Sequence, residues 1–256
     1  SDVRHLTEAG VELAVGAVEQ PATLPDAVRG VGAIVHAAGL VKARNRGEFE
    51  RVNQQGTRNL LQAVREHNPG IRRFIYVGSQ AAIGPSRDGA PIGEDAVPSP
   101  VTTYGRTKLG GERATIEYAA HFPVTALRPC ALYGPRDREI FAVFQWCNRG
   151  IMPVLGDGNA RASMLYGADA AGAVGAALPR EPESGRTFFI DDGRFYTYNE
   201  IVDTIGRVTG RKVRVLHVPV FVLKIAGVVA EAYGKLTGRA VMLTREKVRE
   251  MLEPNW

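Results

Sequence analysis

The 256-residue sequence has two cysteines, Cys130 and Cys147, neither in a CxxC pair, and only five scattered histidines. That scarcity excludes a disulfide framework and a zinc ribbon, leaves no metal expected, and suits a reducing cytoplasm. Blocks of like charge are also missing. The 26 arginines and 6 lysines alternate with acidic residues, as in Arg65-Glu66 and Arg245-Glu246-Lys247, so the net charge of +5 marks solvated helix faces rather than a nucleic-acid surface. Long apolar runs are absent as well. The longest, residues 218–230, is interrupted by Lys224 and falls short of the roughly 20 residues that a spanning helix needs, so no membrane partner is expected. Residues 1–5 lack the charged-then-apolar order of a leader. What is present is an ordinary globular composition, 45% hydrophobic and 23% charged. A chain of this length can bury about 70–75% of its unfolded surface without covalent staples.

The first two thirds alternate short β-branched runs with longer helical patterns, the signature of a parallel sheet covered by helices. Strands are expected at 11–18, 31–36, 73–77 and 124–127, the second being nearly all apolar, as in a buried parallel strand. Helices are expected at 23–30, 48–67 and 102–121. In the second of these, Val52, Leu60, Leu61 and Val64 keep helical spacing up to a stop at Asn68-Pro69-Gly70. A proline- and glycine-rich loop of about twenty residues follows residue 77, a length that points to function. Beyond 130 the rhythm is less regular, with helices expected at 140–148, 168–178, 198–209 and 221–233 and short strands at 188–190 and 213–217. Thr197 and Glu200 form a capping-box pattern ahead of the third of these helices. There is no internal repeat and no flexible linker.

One constellation carries chemistry. Tyr104 and Lys108 stand four residues apart at the start of an expected helix, so a phenol and an ammonium share a face. A free tyrosine is a poor base at neutral pH, and a nearby cation favours its phenolate. With 8 tyrosines and 6 lysines in the chain, chance alone supplies about 0.2 such pairs, so position must add weight. It does: the pair follows Ser79 by 25 residues, and Ser79 stands just past the strand ending at Val77. Ligands of open α/β sheets gather at the carboxyl ends of the strands.

With their neighbours, these residues resemble the extended short-chain dehydrogenase/reductases, also called NAD-dependent epimerase/dehydratases. His36-Ala37-Ala38-Gly39 resembles the family's HxAAG turn and Asn53 to Thr57 its NxxGT helix. Gly78-Ser79 with Gly84-Pro85 is similar to its serine loop, Tyr104 to Lys108 to its YxxxK, and Arg128-Pro129 with Tyr133-Gly134-Pro135 to its RPxxxYGP. The resemblance implies a Rossmann-like doubly wound parallel sheet over residues 1–130, lacking its first β-α-β unit, and an interleaved, mixed substrate region over 131–256. It also implies roles. Tyr104 would be the general acid or base, Lys108 would lower its pKa and hold the ribose hydroxyls, and Ser79 would bond the reacting oxygen. Asn53 would shape its helix and support the proton path. His36, Ala37, Ala38, Gly39 and Pro129, with Tyr104 and Lys108, would bind the cofactor, His36 itself leaning to a structural role. Tyr133 and Arg161 are substrate candidates.

The sequence also departs from that pattern. No GxxGxxG phosphate loop precedes residue 11, and ten residues are too few for the strand, helix and strand that the family places there, about 30 residues. The expectation is a piece of a longer protein that by itself would be poorly soluble and would not bind NAD. The residue that chooses between cofactors belongs to that segment, so the cofactor is NAD or NADP. Ala17 stands where relatives commonly carry an adenine-contacting aspartate, and Arg161 is either a diphosphate-binding arginine or a surface one. Residues 163–166 and the apolar helix after Pro219 are closer to the 3β-hydroxysteroid dehydrogenase-like branch. The expected reaction is hydride transfer at a secondary alcohol or ketone carbon, as net redox chemistry or as half of an epimerisation, with a nucleotide sugar as default substrate. The alternatives are a 3β-hydroxysteroid dehydrogenase-like or dihydroflavonol reductase-like oxidoreductase, and a non-catalytic binding module. A homodimer through the helices at 48–67 and 102–121 is expected, each having more apolar residues than one buried face requires.

Overall fold

The computed structural model describes residues 3–178 and 184–256. Helices α1 (Arg4–Glu8) and α2 (Pro25–Val28) lead to strand β1 (Ala33–His36). Helix α3 (Arg46–Phe49), a wider π-helical stretch (Glu50–Gln55) and α4 (Gly56–His67) make one continuous path to β2 (Arg73–Val77), and α5 (Thr103–Glu117) leads to β3 (Val124–Pro129). The chain continues through β4 (Ala131–Tyr133), α6 (Phe141–Asn148), β5 (Ile151–Leu155), β6 (Arg161–Tyr166) and α7 (Gly167–Ala177). Strand β7 (Arg186–Ile190) then returns to the first sheet, whose order is β1-β2-β3-β7, all parallel. Strand β8 (Phe195–Thr197), α8 (Tyr198–Thr209), β9 (Arg214–Val218), α9 (Val220–Thr237) and α10 (Arg245–Met251) complete the chain. Strands β4-β6-β8 form a second sheet and β5-β9 a pair.

The parallel sheet is held by a core in which Leu60, Leu61 and Val64 of α4 join Phe74 and Tyr76 of β2 and Val124 of β3, all buried. Parallel strands covered on both faces read as continuous apolar runs, which is why β2 and β3 were legible in the sequence. A second cluster gathers Cys147 of α6, Met152 and Val154 of β5, and Val202 and Ile205 of α8. The capping box of Thr197 and Glu200 starts α8 as expected, with both reciprocal bonds formed. Both cysteines are free and buried.

Several expectations change. Residues 11–16 form no strand: Val11, Leu13 and Val15 are 46%, 47% and 99% exposed, and β1 pairs with β2 alone among the described residues. The alternating pattern is correct for a strand, but a strand exists only through a partner's hydrogen bonds. The helix expected at 48–67 is interrupted by the π-helical stretch, and the one expected at 102–121 ends in a 3₁₀ turn, Tyr118–Ala120. Strands β4, β5, β6 and β8 and helix α10 were not foreseen, since short strands such as β5, with Pro153 inside it, lack a clean period. The surplus of apolar residues on the two expected dimer helices is not found. Leu60, Leu61, Val64 and Leu109 are buried within the chain, and the groove on the outer side of α4 and α5 is lined by Gln54, Arg58, Arg106, Arg113 and Glu117.

Candidate active site

The site is assembled where β1, β2 and β3 end. Past β1 the chain turns through Ala37, Ala38 and Gly39, all exposed; past β2 it passes Gly78 and Ser79; β3 ends at Pro129. Helix α5 is seated hard against these strand ends, and glycine makes this possible. A Cβ on Gly105 would meet the Ala81 carbonyl at 2.2 Å, and one on Gly111 would meet the Tyr76 hydroxyl at 2.5 Å. No side chain fits in those gaps. Thr102 caps the helix, its hydroxyl accepting from the Gly105 amide at 3.1 Å, and Glu246 of α10 accepts from the Thr103 amide at 2.8 Å and from the Thr103 hydroxyl at 3.0 Å. The first turn of α5, which carries Tyr104, is therefore fixed from two sides.

Ser79 stands near enough to Tyr104 to act on its phenol, so the structure places side by side the serine and tyrosine expected from the sequence. Burial holds the phenol above its usual value, the Ser79 contact pulls the other way, and the charge of Glu250 adds to the rise. One turn on, the Lys108 ammonium donates to the Val77 carbonyl at 2.7 Å and lies 4.7 Å from the centre of the Tyr76 ring. Burial lowers its pKa to about 8, with Glu112 opposing. The ammonium is turned to the end of β2 by its bond to Val77. Behind it, Glu112 and Arg128 form a two-pronged buried ion pair at 2.7 and 2.9 Å, and Arg128 also donates to the Glu94 carbonyl at 3.3 Å.

Asn53 sits inside the π-helical stretch, a local widening that recurs at functional sites. Its Oδ1 accepts from the Leu40 amide at 2.7 Å, and its Nδ2 donates to the Leu40 carbonyl at 3.0 Å and to the Thr107 hydroxyl at 3.2 Å. Its amide thus ties the turn after β1 to α5. His36 is buried against Phe74 and Tyr76, with Nε2 3.0 Å from the Thr57 hydroxyl, and burial, helped by Lys108, lowers its pKa to about 4. It is a neutral packing residue. Tyr133 packs on Tyr166 with ring centres 5.7 Å apart and is not among the residues that line the cleft described next.

That cleft, about 280 Å³, begins at Gln80 and Ile83 beside Ser79 and is walled by Ile92, Phe189, Phe195 and Trp256, with Arg161 and Asp191 as its charged residues. Asn255 and Trp256 line it as well. Asn255 accepts from the Ser86 amide at 3.0 Å and Trp256 from the Ser163 amide at 2.6 Å, so the tail lies alongside β6. Sequence reasoning missed this tail, the Glu246 cap and the Glu112–Arg128 pair. None has a local signal, since each joins residues far apart in the chain.

The residues present fit the nicotinamide-ribose half of a dinucleotide. A Cβ on Gly39 would stand 3.1 Å from Asn53 Oδ1 and 3.7 Å from the Lys108 ammonium, so glycine lets the turn after β1 approach that cation closely. The ammonium has three donor positions and, among the described residues, donates one to the Val77 carbonyl, leaving capacity for ribose hydroxyls. A parallel α/β sheet with a serine, tyrosine and lysine at its carboxyl edge defines a dehydrogenase of the short-chain type. Comparison with known proteins agrees. The model of the NAD dependent epimerase/dehydratase family matches residues 2–190. The chain is 33% identical over 250 residues to a ceramide reductase of Caulobacter vibrioides, covering 96% of this chain and 72% of that protein. It is 29% identical over 217 residues to YtcB of Bacillus subtilis, named an uncharacterized UDP-glucose epimerase, covering 80% of this chain and 66% of that one. Among solved structures, MoeE5 in complex with UDP-glucuronic acid and NAD superposes with a TM-score of 0.71 at 23% identity, covering 85% of this chain and 80% of that chain. The protein belongs to the NAD dependent epimerase/dehydratase family. The family's chemistry is enzymatic oxidoreduction and epimerisation, and the cofactor that membership implies is NAD.

Proposed function

We propose that the protein is an NAD- or NADP-linked oxidoreductase that reduces a ketone to a secondary alcohol on an apolar, lipid-like substrate. The observation that carries this reading is the cleft that begins at Gln80, next in the chain to Ser79, where Ile83, Ile92, Phe189, Phe195 and Trp256 supply apolar wall and Arg161 and Asp191 are the charged residues. Pockets built this way hold greasy ligands and use a few polar groups for orientation. The ceramide reductase relative agrees with it. In this reading Ser79 donates to the ketone oxygen and Tyr104 transfers its proton to the same oxygen as the alcohol forms. A phenol that burial keeps protonated suits donation. Lys108 holds the ribose hydroxyls, and Ala37, Ala38, Gly39 and Pro129 border the cofactor. Asn53 positions the turn and α5. When bound, the nicotinamide supplies the hydride.

A second reading, a nucleotide-sugar epimerase, is favoured by Arg161, which faces the cleft where a diphosphate could meet it and by the resemblance to YtcB. A panel decides between them: NADH or NADPH oxidation by the full-length protein with a long-chain 3-ketolipid and with a 3-ketosteroid, and interconversion of UDP-hexoses. Turnover of the ketolipid supports the first reading, and turnover of UDP-hexoses alone overturns it. A non-catalytic module draws no support from a complete serine, tyrosine and lysine set. The free, buried cysteines support a cytoplasmic location. Pairing of two copies across α4 and α5 would use the polar groove between Arg58 and Arg113, and light scattering at micromolar concentration tests it: a monomer there excludes it.

A further inference from the structure

Arg128 has no task in the chemistry at Tyr104, yet it is buried near the end of β3, where a guanidinium is tolerated only with several partners. Its nitrogens are divided between two parts of the fold. Nε and Nη2 form a fork on the Glu112 carboxylate of α5 at 2.9 and 2.7 Å, while Nη1 donates to the Glu94 carbonyl at 3.3 Å. The centre of the guanidinium also lies over the ring of Phe189 in β7, 5.2 Å from its centroid. Glu112 stands one turn beyond Lys108 on the catalytic helix. Phe189 is a wall of the cleft, and residues 89–92, just ahead of Glu94, line it too. Residues 84–99 include no helix or strand, so no ladder of backbone bonds holds them. The two described hydrogen bonds that join them to the parallel sheet are both at Glu94: its carbonyl accepts from Arg128, and its carboxylate accepts from the Phe189 amide at 3.2 Å.

We propose that Arg128 is a positioning residue for the substrate: it clamps the Glu94 segment and Phe189 to α5, and so holds the Ile92 and Phe189 walls of the cleft in place relative to Ser79 and Tyr104. The proposal rests on the reading of this cleft as the substrate site. An ion pair that served stability alone would be complete with Glu112. The third donor goes instead to a loop that supplies neither apolar core, and the stacked ring belongs to the cleft. Only a planar fork with donors on several sides can serve a carboxylate, a carbonyl and a ring face together. Walls held this way bind the substrate body equally in its ground and transition states. Loosening them therefore weakens binding and leaves the chemical step alone.

Arg128→Lys in the full-length protein tests it, because lysine keeps a positive charge beside Glu112 but has no fork to reach Glu94 as well. In hydrogen exchange read by mass spectrometry, peptides covering residues 89–97 are expected to exchange at least about fivefold faster, with peptides of α4 unchanged. In steady-state kinetics, KM for the ketolipid is expected to rise about tenfold while kcat and NADH affinity stay within about threefold. If Arg128→Lys does not fold, Glu94→Ala replaces it. That variant removes an exposed carboxylate and its bond to the Phe189 amide, and a rise in KM of about threefold is expected at unchanged kcat. Failure of the cleft reading shows separately, in the unaltered protein, as absence of ketolipid turnover. The same split between KM and kcat is then read with the UDP-hexose that is turned over, and the exchange measurement needs no substrate at all. The proposal is overturned if residues 89–97 exchange at the parent rate in a folded variant, or if kcat falls while KM holds.

Discussion

Helices α5 and α9 exchange the roles that composition assigns them. Helix α5 spans 15 residues and buries nine, of which Leu109 and Ala114 are the aliphatic members and Thr103, Thr107, Lys108, Glu112 and Thr115 are polar or charged. Helix α9, 18 residues and far more apolar, buries Gly227 and Gly234. A buried polar helix is stable only when its groups find partners, and here they do: Lys108 on the Val77 carbonyl, Glu112 on Arg128, and Thr115 on the Gly111 carbonyl. A helix that holds reacting groups against strand ends cannot be built from aliphatic residues. A helix that packs on α10 along one side and turns its other side outward can be. The contrast teaches that in this molecule hydropathy alone does not tell which helix is buried: α5 is buried through paired polar groups, and α9 exposes apolar ones.

The sharpest way to break the α5 side of the contrast is to remove one member of its buried pair. Arg128→Met leaves the Glu112 carboxylate alone in a site where both side chains are about 5% exposed, and a loss of about 3–5 kcal/mol in denaturant unfolding is expected. Adding Glu112→Leu to Arg128→Met is expected to recover most of it, since the uncompensated charge is gone. Failure of the double variant to recover would locate the cost in packing against Phe189 instead.

A pH titration of stability probes the same interior at His36. Its folded pKa is about 4 against an ordinary 6.5, so between these values the unfolded chain binds a proton that the folded chain does not. Stability is therefore expected to be complete above pH 6.5 and to fall as pH drops toward 4, by up to about 3 kcal/mol from this group. His36→Phe is expected to flatten that slope in urea unfolding curves collected from pH 4 to 7. A slope unchanged in the variant would assign it to other groups.

Much of the site was legible in advance because its carriers are local. Tyr104 and Lys108 share a helix face by spacing alone, Ser79 follows a strand that announces itself as a continuous apolar run, and the α8 capping box is visible over four residues. What was not legible is non-local. Residues 11–18 carry a strand pattern whose realisation depends on a neighbour's hydrogen bonds, and none of the described residues makes them. The Glu246 cap on α5 joins positions 143 residues apart, and the tail that lines the cleft pairs with β6 from nearly 100 positions away along the chain. The orientation of Lys108 toward β2 is likewise set by where that strand ends, not by its spacing from Tyr104.

The smallest effect is expected on α9. Ile225→Ser changes a side chain that is 58% exposed, and its effect on unfolding is expected to stay within about 0.5 kcal/mol. A loss several times larger would mean that this side of α9 is packed in solution and would erase the contrast with α5.

The central claim is that Tyr104 transfers a proton at an oxygen held by Ser79 while Lys108 serves the cofactor. Its most direct test is Tyr104→Phe in the full-length protein, measured as turnover on the ketolipid that the substrate panel employs, with NADH affinity followed in parallel by fluorescence. Turnover is expected to fall by about 10²–10⁴-fold with NADH affinity nearly unchanged, because the variant loses a reacting oxygen and no ribose contact. Turnover within a few-fold of the unaltered enzyme would contradict the account.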